Sequence, residues 1–420
     1  MRDRRAQSGQ ASTLILILLA FVLFAFLGFA VDLGRLYLIR GELTTAAEAM
    51  ALAAAQELVG TSAAEANAMT ALALAQSNAN GGANRFNFSG NEIGGEGLLA
   101  SQVEDSELFA TFTDATSGDT GAVADSATAR YIRVRVRADA PLTFWQFLPV
   151  GKAGITSIEA GAVAGISQPL CSVCGAEPLA VVPINFDDTT DFGFVPGQKY
   201  TLYSQCTGPP PTALAGAPVV VQYTLLSRSV DDGTDGDQQI FKFLAGGIPA
   251  PSFPVPDDSN LACPAIGATE LRLPSVSASA CTAANRGTVV RDTVCGLNAR
   301  LDLAAHPACE SIVDVDTVIL SFPPDTDIDS HDDYTEYAGN RRRILTVTIV
   351  DTIPFAVTGA MNVLGFRQFL LEPNPDSTEL NPADQVGRVV ALYIGSPAPV
   401  KQGDFGACGV TQGPGKVVLH

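Results

Sequence analysis

The feature that most constrains this chain is an uncharged stretch of 21 residues, 11–31. As a helix it would be roughly 31 Å long, close to the hydrocarbon thickness of a bilayer. A cleaved signal peptide usually has a shorter apolar region and ends in a small-x-small site, to which Gly28–Asp32 is a poor match. A buried helix of a soluble protein would be expected to show a polar face. The stretch therefore predicts an uncleaved transmembrane helix.

The charges around this stretch predict its orientation. Arg2, Arg4 and Arg5 precede it, and the positive-inside rule keeps such a flank in the cytoplasm. The first forty residues hold five arginines and two aspartates, a net charge of +3. Because the whole chain has a net charge of −19, the remaining residues carry −22. We expect a basic cytoplasmic tail (1–10), a single helix in the inner (cytoplasmic) membrane (11–31), and an acidic periplasmic or extracellular body. An acidic body argues against nucleic-acid binding, which needs clustered cations.

An alanine-rich helical segment is predicted over 32–80. Apolar residues recur there at steps of three and four, namely Leu36, Ile39, Leu43, Ala46, Met50 and Ala53. Gly60 is a helix stop signal, and Ser62 with Glu65 has the spacing of a capping box for a second helix ending near Asn78. The alanine surface suits close packing against another helix. That helix could belong to the same chain or to a second copy. In the second case the chain would form a homo-oligomer through its N-terminal helix.

Residues 81–168 are predicted to form a small α+β unit. The segment Tyr131–Arg137 alternates apolar and charged residues with period two, which indicates a half-buried strand. Its arginines are expected to face solvent or acidic neighbours. A second strand is predicted through Ile158–Ile166.

The remainder, 169–420, is predicted to be β-rich and tied by disulfides. Proline and glycine punctuate short apolar runs of strand length. Eight cysteines are present, and an even number in an exported segment implies disulfides, although 105 connectivities are compatible with eight cysteines. Structural pairing is favoured over redox chemistry for Cys171 and Cys174, the one CxxC pair. The fold class predicted for the chain is α+β.

One acidic loop has the spacing of a calcium site. Oxygen ligands fall at positions 1, 3, 5, 9 and 12 of an EF-hand-like loop, at Asp325, Asp327, Asp329, Asp333 and Glu336. Ser330 stands at the glycine position, and Phe322–Pro324 cannot form an incoming helix. A Ca²⁺ site and a solvated acidic loop are both compatible with this pattern, and no other cofactor is expected.

Catalysis is not expected. The chain has three histidines and shows neither a phosphate-binding loop nor a GxSxG nucleophile motif. The basic run Arg341–Arg343 is expected to pair with the acidic body or to end a strand.

The N-terminus resembles the TadE/TadG-like family of the tight-adherence (Flp) pilus machinery. The resemblance is carried by Ser8-Gly9-Gln10, by the exit sequence Ala30–Tyr37, and by the alanine-rich Leu43–Ala53 with its acidic Glu48. It implies a non-enzymatic, membrane-anchored structural component of a pilus or surface-fibre assembly apparatus. The partners implied are pilus or Tad-apparatus proteins and the membrane.

Two alternatives are open at this point. The chain could be a subunit of a pilus-like filament at the cell surface, packed through its long N-terminal helix. It could also be an anchored extracytoplasmic hydrolase, which would need a buried polar cleft holding a nucleophile and a base.

Overall fold

The computed structural model describes residues 7–78, 99–117, 125–142, 144, 155–204, 208–226, 244–245, 265–267, 271–272, 286–301, 309, 323–353, 360–374, 380–382, 384–395 and 398–420. Within them the helices are α1 (Gln7–Ala55), α2 (Ala64–Asn78), α3 (Phe112–Ser117) and α4 (Arg286–Asn298), with 3-10 turns at Ser126–Thr128 and Tyr334–Glu336. The predicted α+β class is confirmed: a long apolar helix precedes a mostly β region that contains disulfides.

Helix α1 joins the predicted span and the first alanine-rich segment into one element of 49 residues. It ends at Ala55, and the predicted stop Gly60 lies in the connection to α2 with a φ of +84°, a conformation that glycine adopts readily. The predicted second helix is confirmed as α2, and it ends at Asn78.

The second half of α1 packs against its own chain. Its buried residues are Ile39, Leu43, Ala46, Ala47, Met50, Ala51, Ala54 and Ala55, which share a core with α2 and with an antiparallel sheet. The predicted seam is therefore covered within the chain rather than by a second subunit. Ala53 is only half-buried and Ala54 is buried instead, because a helix with 3.6 residues per turn drifts from a strict heptad.

The sheet against α1 has four antiparallel strands. In spatial order they are β1 (Leu99–Phe109), β2 (Tyr131–Pro141), β3 (Ile155–Ile166) and β14 (Val417–Leu419). The alternation predicted for β2 is confirmed, since Ile132, Val134 and Val136 are fully buried. Arg133 and Arg135 pair with Glu107 and Asp105 of β1, the latter pair at 2.7 Å.

Strand β14 brings the C-terminus back to this sheet. It pairs with β3, and the backbone N–H of His420 donates to the carbonyl of Val163 at 2.9 Å. The sheet thus combines part of the 81–168 segment with the end of the chain. The domain bounds themselves stay a prediction.

The second β structure is a closed six-stranded barrel. Its strands are β11 (Val363–Glu372), β12 (Val389–Tyr393), β6 (Lys199–Tyr203), β7 (Val219–Leu225), β5 (Leu179–Val181) and β9 (Ile344–Val350), in this spatial order. Neighbours are antiparallel except in the pairs β5–β9 and β6–β7. Aromatic rings fill the interior, and Phe194 contacts Tyr200 and Phe369 edge to face. Helix α4 packs its valines against the same core.

Two two-stranded ladders and two disulfides complete the described body. The ladders pair β4 (Ser172–Cys174) with β13 (Gln402–Asp404) and β8 (Leu271–Arg272) with β10 (Ala360–Met361). Cys171 is bonded to Cys408, and Cys295 to Cys309. Within the described residues no cysteine is free, as structural pairing predicts.

Replacing Met50 by alanine tests the docking of α1 on the sheet. Met50 is fully buried, so Met50→Ala is expected to lower the free energy of unfolding of the body by about 2–5 kcal/mol. The matched control is Leu74→Ala on the exposed side of α2, for which we expect a change of about 0.5 kcal/mol or less. Urea unfolding in detergent micelles, followed by circular dichroism, measures both. Equal effects of the two substitutions would contradict the packing of α1.

Candidate functional site

The first half of α1 is a large exposed apolar surface. An 18-residue window of this helix has a mean hydropathy of 3.1, and only 6% of the window is buried. Phe21 and Phe24 expose 75% and 73% of their surfaces. An exposed apolar patch of this kind marks a contact with a membrane or with other proteins. Among the described residues this is the one helix long and apolar enough to cross a membrane.

The environment of α1 changes within a few residues. Tyr37 is 83% exposed, whereas Ile39 is 2% exposed and begins the core of the body. The seven residues 32–38 between the uncharged stretch and that core span about 10 Å of helix. A bilayer is about 40–45 Å thick in total and its hydrocarbon core about 30 Å, so the headgroup layer on each side is about 5–7 Å thick. The docked core of the body therefore begins just beyond one headgroup thickness from the end of the uncharged stretch, a spacing that is compatible with a membrane anchor.

A body segment reaches this boundary region of α1. Phe144 follows β2 closely in sequence, and its backbone N–H donates to Asp32 Oδ2 at 2.9 Å. Asp32 is almost fully buried. One turn earlier, a Cβ on Gly28 would lie 2.8 Å from the Cβ of Phe144, so only glycine permits this approach. Phe144 is thus in direct contact with the apolar half of the helix.

The connection that directly follows α1 is bonded to the barrel side of the body. Arg341 donates to the carbonyl of Gln56 at 2.6 Å and pairs with Glu57 at 3.0 Å. The hydroxyl of Tyr334 donates to the carbonyl of Val59 at 2.8 Å. Arg341 has a φ of +71°, a backbone conformation that is uncommon for residues other than glycine. This indicates that its contacts with Gln56 and Glu57 hold the backbone in that conformation.

Asp325, the first of the five predicted calcium ligands, is held by donors of its own chain. Its carboxylate accepts from the backbone N–H groups of Asp327 and Asn340 at 3.0 and 3.2 Å and from the hydroxyl of Tyr337 at 2.5 Å. Burial, followed by the neighbouring charge of Asp325, raises the pKa of Tyr337 well above its ordinary value, so the tyrosine remains a donor.

Asp327 is also surrounded by donors. Its carboxylate accepts from the N–H groups of Ala338 and Asp329 and lies 2.9 Å from His331 Nε2. Burial raises the pKa of Asp327, but those two N–H groups, together with the charges of His331 and Arg343, outweigh it and hold the pKa below its ordinary value.

The other three predicted ligands lie at the surface. Asp329 and Glu336 are exposed, and exposed Asp333 caps the 3-10 turn by accepting from the N–H of Thr335 at 2.9 Å. The structure brings Asp325 and Asp327 together but not the set of five. In the described part of the chain no group of three or more acidic, histidine or cysteine side chains has a metal-binding arrangement.

A buried arginine that follows this loop in sequence donates hydrogen bonds to the loop carbonyls. Arg343 is completely buried, and its guanidinium donates to the carbonyls of Asp327, Asp329 and Leu371 at 2.7, 2.9 and 2.7 Å. It also pairs with Glu372 at 3.3 Å. The carbonyl oxygens that could face a cation therefore face a cation of the chain itself. Of the basic run Arg341–Arg343, Arg341 and Arg343 pair with carboxylates of the body, as predicted.

The described histidines do not form a nucleophile–base pair. His331 is buried, its ring faces Asp327, and its backbone N–H donates to Glu372 Oε2 at 2.9 Å. His420 lies against the ring of Phe112 with centroids 4.7 Å apart. His306 lies outside the described residues. These contacts give His331 a structural role in the acidic loop.

Calcium binding by the acidic loop stays a prediction, and thermal unfolding tests it. Because Asp325 and Asp327 already accept N–H donors, we expect coincident melting curves in calcium, magnesium and chelator. A bound ion would instead stabilise the body by about 2.7 kcal/mol at 100 times its dissociation constant. A shift given by calcium alone, weakened in Asp327→Asn and nearly abolished in Glu336→Gln, would contradict the expectation and establish the site.

The comparisons with known proteins bear on the helix rather than on the body. Residues 9–57 match the family model Tad, described as putative Flp pilus-assembly TadE/G-like. Neither the curated proteins nor the solved structures include a match to this chain. The matched residues correspond closely to α1 and the start of its connection to α2. The N-terminal region of the chain is thus similar to the TadE/G-like Flp pilus-assembly family, as its sequence indicates.

Proposed function

We propose that this protein is a membrane-anchored structural component of a Tad/Flp-like pilus or surface-fibre assembly apparatus, acting by anchoring and protein–protein contacts without catalysis. One observation carries the proposal: a single helix exposes an apolar first half and buries its second half in the core of the body. The family match over residues 9–57 supports the pilus-related role.

The continuity of α1 suits a mechanical role. No loop separates the exposed half from the docked half, since helical hydrogen bonding continues from Gln7 to Ala55. A force applied to the body would therefore pass directly into the anchor. The contacts of Arg341 and Tyr334 with Gln56 and Val59 join the barrel side of the body to the residues that directly follow the helix.

The proposed location is the inner membrane, with one span, a cytoplasmic N-terminus and a periplasmic or extracellular body. The arginines before the span support this orientation. The disulfides of the described residues support an oxidising compartment for the body. The proposed partners are other pilus or Tad-apparatus proteins and the membrane.

A second candidate function is a subunit of a pilus-like filament. The exposed half of α1 favours it, because apolar side chains are exposed all around the helix, including Leu16, Phe21, Val22 and Phe24. Helices of other copies could cover such a surface as well as lipid does. The chain would then form homo-oligomers through α1 at the cell surface.

Cell fractionation tests the anchor. We expect the full chain to stay in the membrane pellet after a carbonate wash, with its body digested by protease added to spheroplasts. Replacing Leu19 and Leu23 together by aspartate should release it from the pellet, because each charge near the centre of a span costs about 2.5–3.5 kcal/mol. Leu74→Asp is the control, since Leu74 is exposed on the body, and this variant should stay in the pellet.

Two results would contradict the anchor. Recovery of the unmodified chain in the soluble cytoplasmic fraction would remove both candidate functions. Recovery as the major component of sheared surface fibres, with little left in the membrane, would establish the filament subunit instead.

A further inference from the structure

Strand β3 has an open edge over most of its length. It pairs with β2 along the whole strand, whereas β14 covers only residues 164–166 on its other side. The backbone N–H of His420 adds one hydrogen bond there, to the carbonyl of Val163. Among the residues that the structure describes, no strand pairs with 155–162 on that side. An open row of backbone groups of this kind is a template for an added strand.

The backbone groups on this edge can be assigned from their neighbours. The carbonyl of Val163 points to the β14 side, because it accepts from His420, whereas the N–H of Ile166 points to the β2 side and donates to Arg130. In a strand the two groups of one residue point the same way, and successive residues alternate. The open edge therefore presents the N–H and C=O groups of three residues, Ser157, Glu159 and Gly161.

This edge lacks the features that protect the other edge of the same sheet. Strand β1, at that other edge, carries acidic side chains and two register shifts, both of which discourage further pairing. Strand β3 keeps one continuous register with β2 and contains no proline, and Glu159 is its one charged residue. An added strand therefore meets no kink or charge cluster at this edge.

The two faces of β3 define the side chains that an added strand needs. Ile158 and Ala160 are half-buried and pack against the core that α1 shares with the sheet. Ser157, Glu159 and Gly161 are exposed on the opposite face. Because successive side chains of a strand point to opposite faces, every second residue of the added strand would extend the apolar layer and the others would face solvent.

The charge of the exposed face alternates from strand to strand. Asp105 of β1 pairs at 2.7 Å with Arg135 of β2, and Glu159 of β3 lies opposite Arg137 of β2. Arg137 lies 3.7 Å from Asp139 of its own strand, and in the described part of the chain no cation is within 4 Å of the Glu159 carboxylate. A basic side chain on the added strand would continue the alternation and face Glu159.

Two pairings between copies of this chain are unfavourable. Phe144 beyond β2 contacts Asp32, and Ser126 before β2 donates to the carbonyl of Ser62 beyond α1 at 2.7 Å. Helix α1 therefore runs against β2 and along β3. Copies anchored in one membrane hold α1 in the same direction, so their β3 strands cannot pair antiparallel. The acidic β1 of a second copy would place like charges beside Glu159.

We propose that the open edge of β3 binds an extended segment of a partner protein, which adds a strand beside residues 156–161 with apolar side chains toward α1 and a basic side chain opposite Glu159. This inference rests on the proposed function, because it names a surface through which the anchored body makes a protein–protein contact. The open edge begins opposite Pro141, at the end of β2 nearest to Asp32. The partner is therefore held at the membrane side of the body.

Designed peptides test the edge on the full chain in detergent micelles. The probe is Val-Thr-Val-Lys-Val-Thr-Val, whose central lysine faces Glu159 in either strand direction. We expect it to slow hydrogen exchange at the amides of Ser157, Glu159 and Gly161 about tenfold or more, because exchange then requires release of the added strand. Mass spectrometry with residue resolution measures the exchange.

The matched control peptide is Val-Pro-Val-Lys-Val-Pro-Val. It keeps the charge but lacks two of the N–H groups that a strand donates, so it should leave the exchange unchanged. Equal effects of the two peptides, or no effect of either, would overturn the proposal.

A charge swap tests the part played by Glu159. By fluorescence anisotropy, the unmodified chain should bind the lysine peptide about threefold or more tightly than Val-Thr-Val-Glu-Val-Thr-Val, and Glu159→Lys should reverse this preference. Glu104→Lys on β1 is the matched control, since Glu104 is also exposed on a strand of this sheet, and it should keep the unmodified preference. An unchanged preference in Glu159→Lys, or a reversal in Glu104→Lys instead, overturns the site.

Two further results would identify a different occupant. Slow exchange at the three edge amides of the monomeric chain without peptide would show that the chain covers its own edge. A covalent dimer of Ser157→Cys, formed in membranes under mild oxidation, would place a second copy there. Either result overturns the partner strand. Failure of the peptides leaves the carbonate-wash result for the anchor untouched, so the two proposals fail separately.

Discussion

The structure depends on one helix that meets two different environments. A helix satisfies its backbone hydrogen bonds internally, so α1 can leave the protein and enter lipid without exposing polar groups. Its side chains change accordingly: large apolar residues stand in the exposed half, and small alanines in the docked half let the helix approach the sheet closely. The body is built around this docked half, and its C-terminal strand β14 closes the edge of the same sheet.

Buried arginines hold the rest of the body together. Arg343 gathers the carbonyls of the acidic loop, and Arg300 pairs with Glu177 at 2.6 Å, with both side chains almost fully buried. Removing one partner of such a pair is strongly destabilising, because it leaves the other charge buried and unpaired. Buried arginines therefore offset part of the negative charge of the body from within. The loop from Asp325 onward is held by one of them, Arg343.

The parts of the fold that could be predicted from the sequence are those with local periodicity. The span, helix α2 and the alternation in β2 follow from neighbours along the chain, because helix and strand periods show in consecutive residues. The closure of the barrel, the return of β14 and the contact of Phe144 with Asp32 join distant residues, and no periodicity signals them. The EF-hand-like spacing of the acidic loop does not reveal that Arg343 contacts the loop carbonyls, because Arg343 lies outside that pattern.

Photo-crosslinking in intact cells tests most directly whether α1 divides between lipid and protein. A benzophenone side chain is placed at Phe21, in the exposed half, or at Met50, in the buried half. The structure predicts lipid adducts at position 21 after irradiation, and links only within the same chain at position 50. Crosslinks from position 21 to the body of its own chain, or lipid adducts at position 50, would contradict this division of the helix. Crosslinks from position 21 only to a second copy would place the exposed half in a filament rather than in lipid.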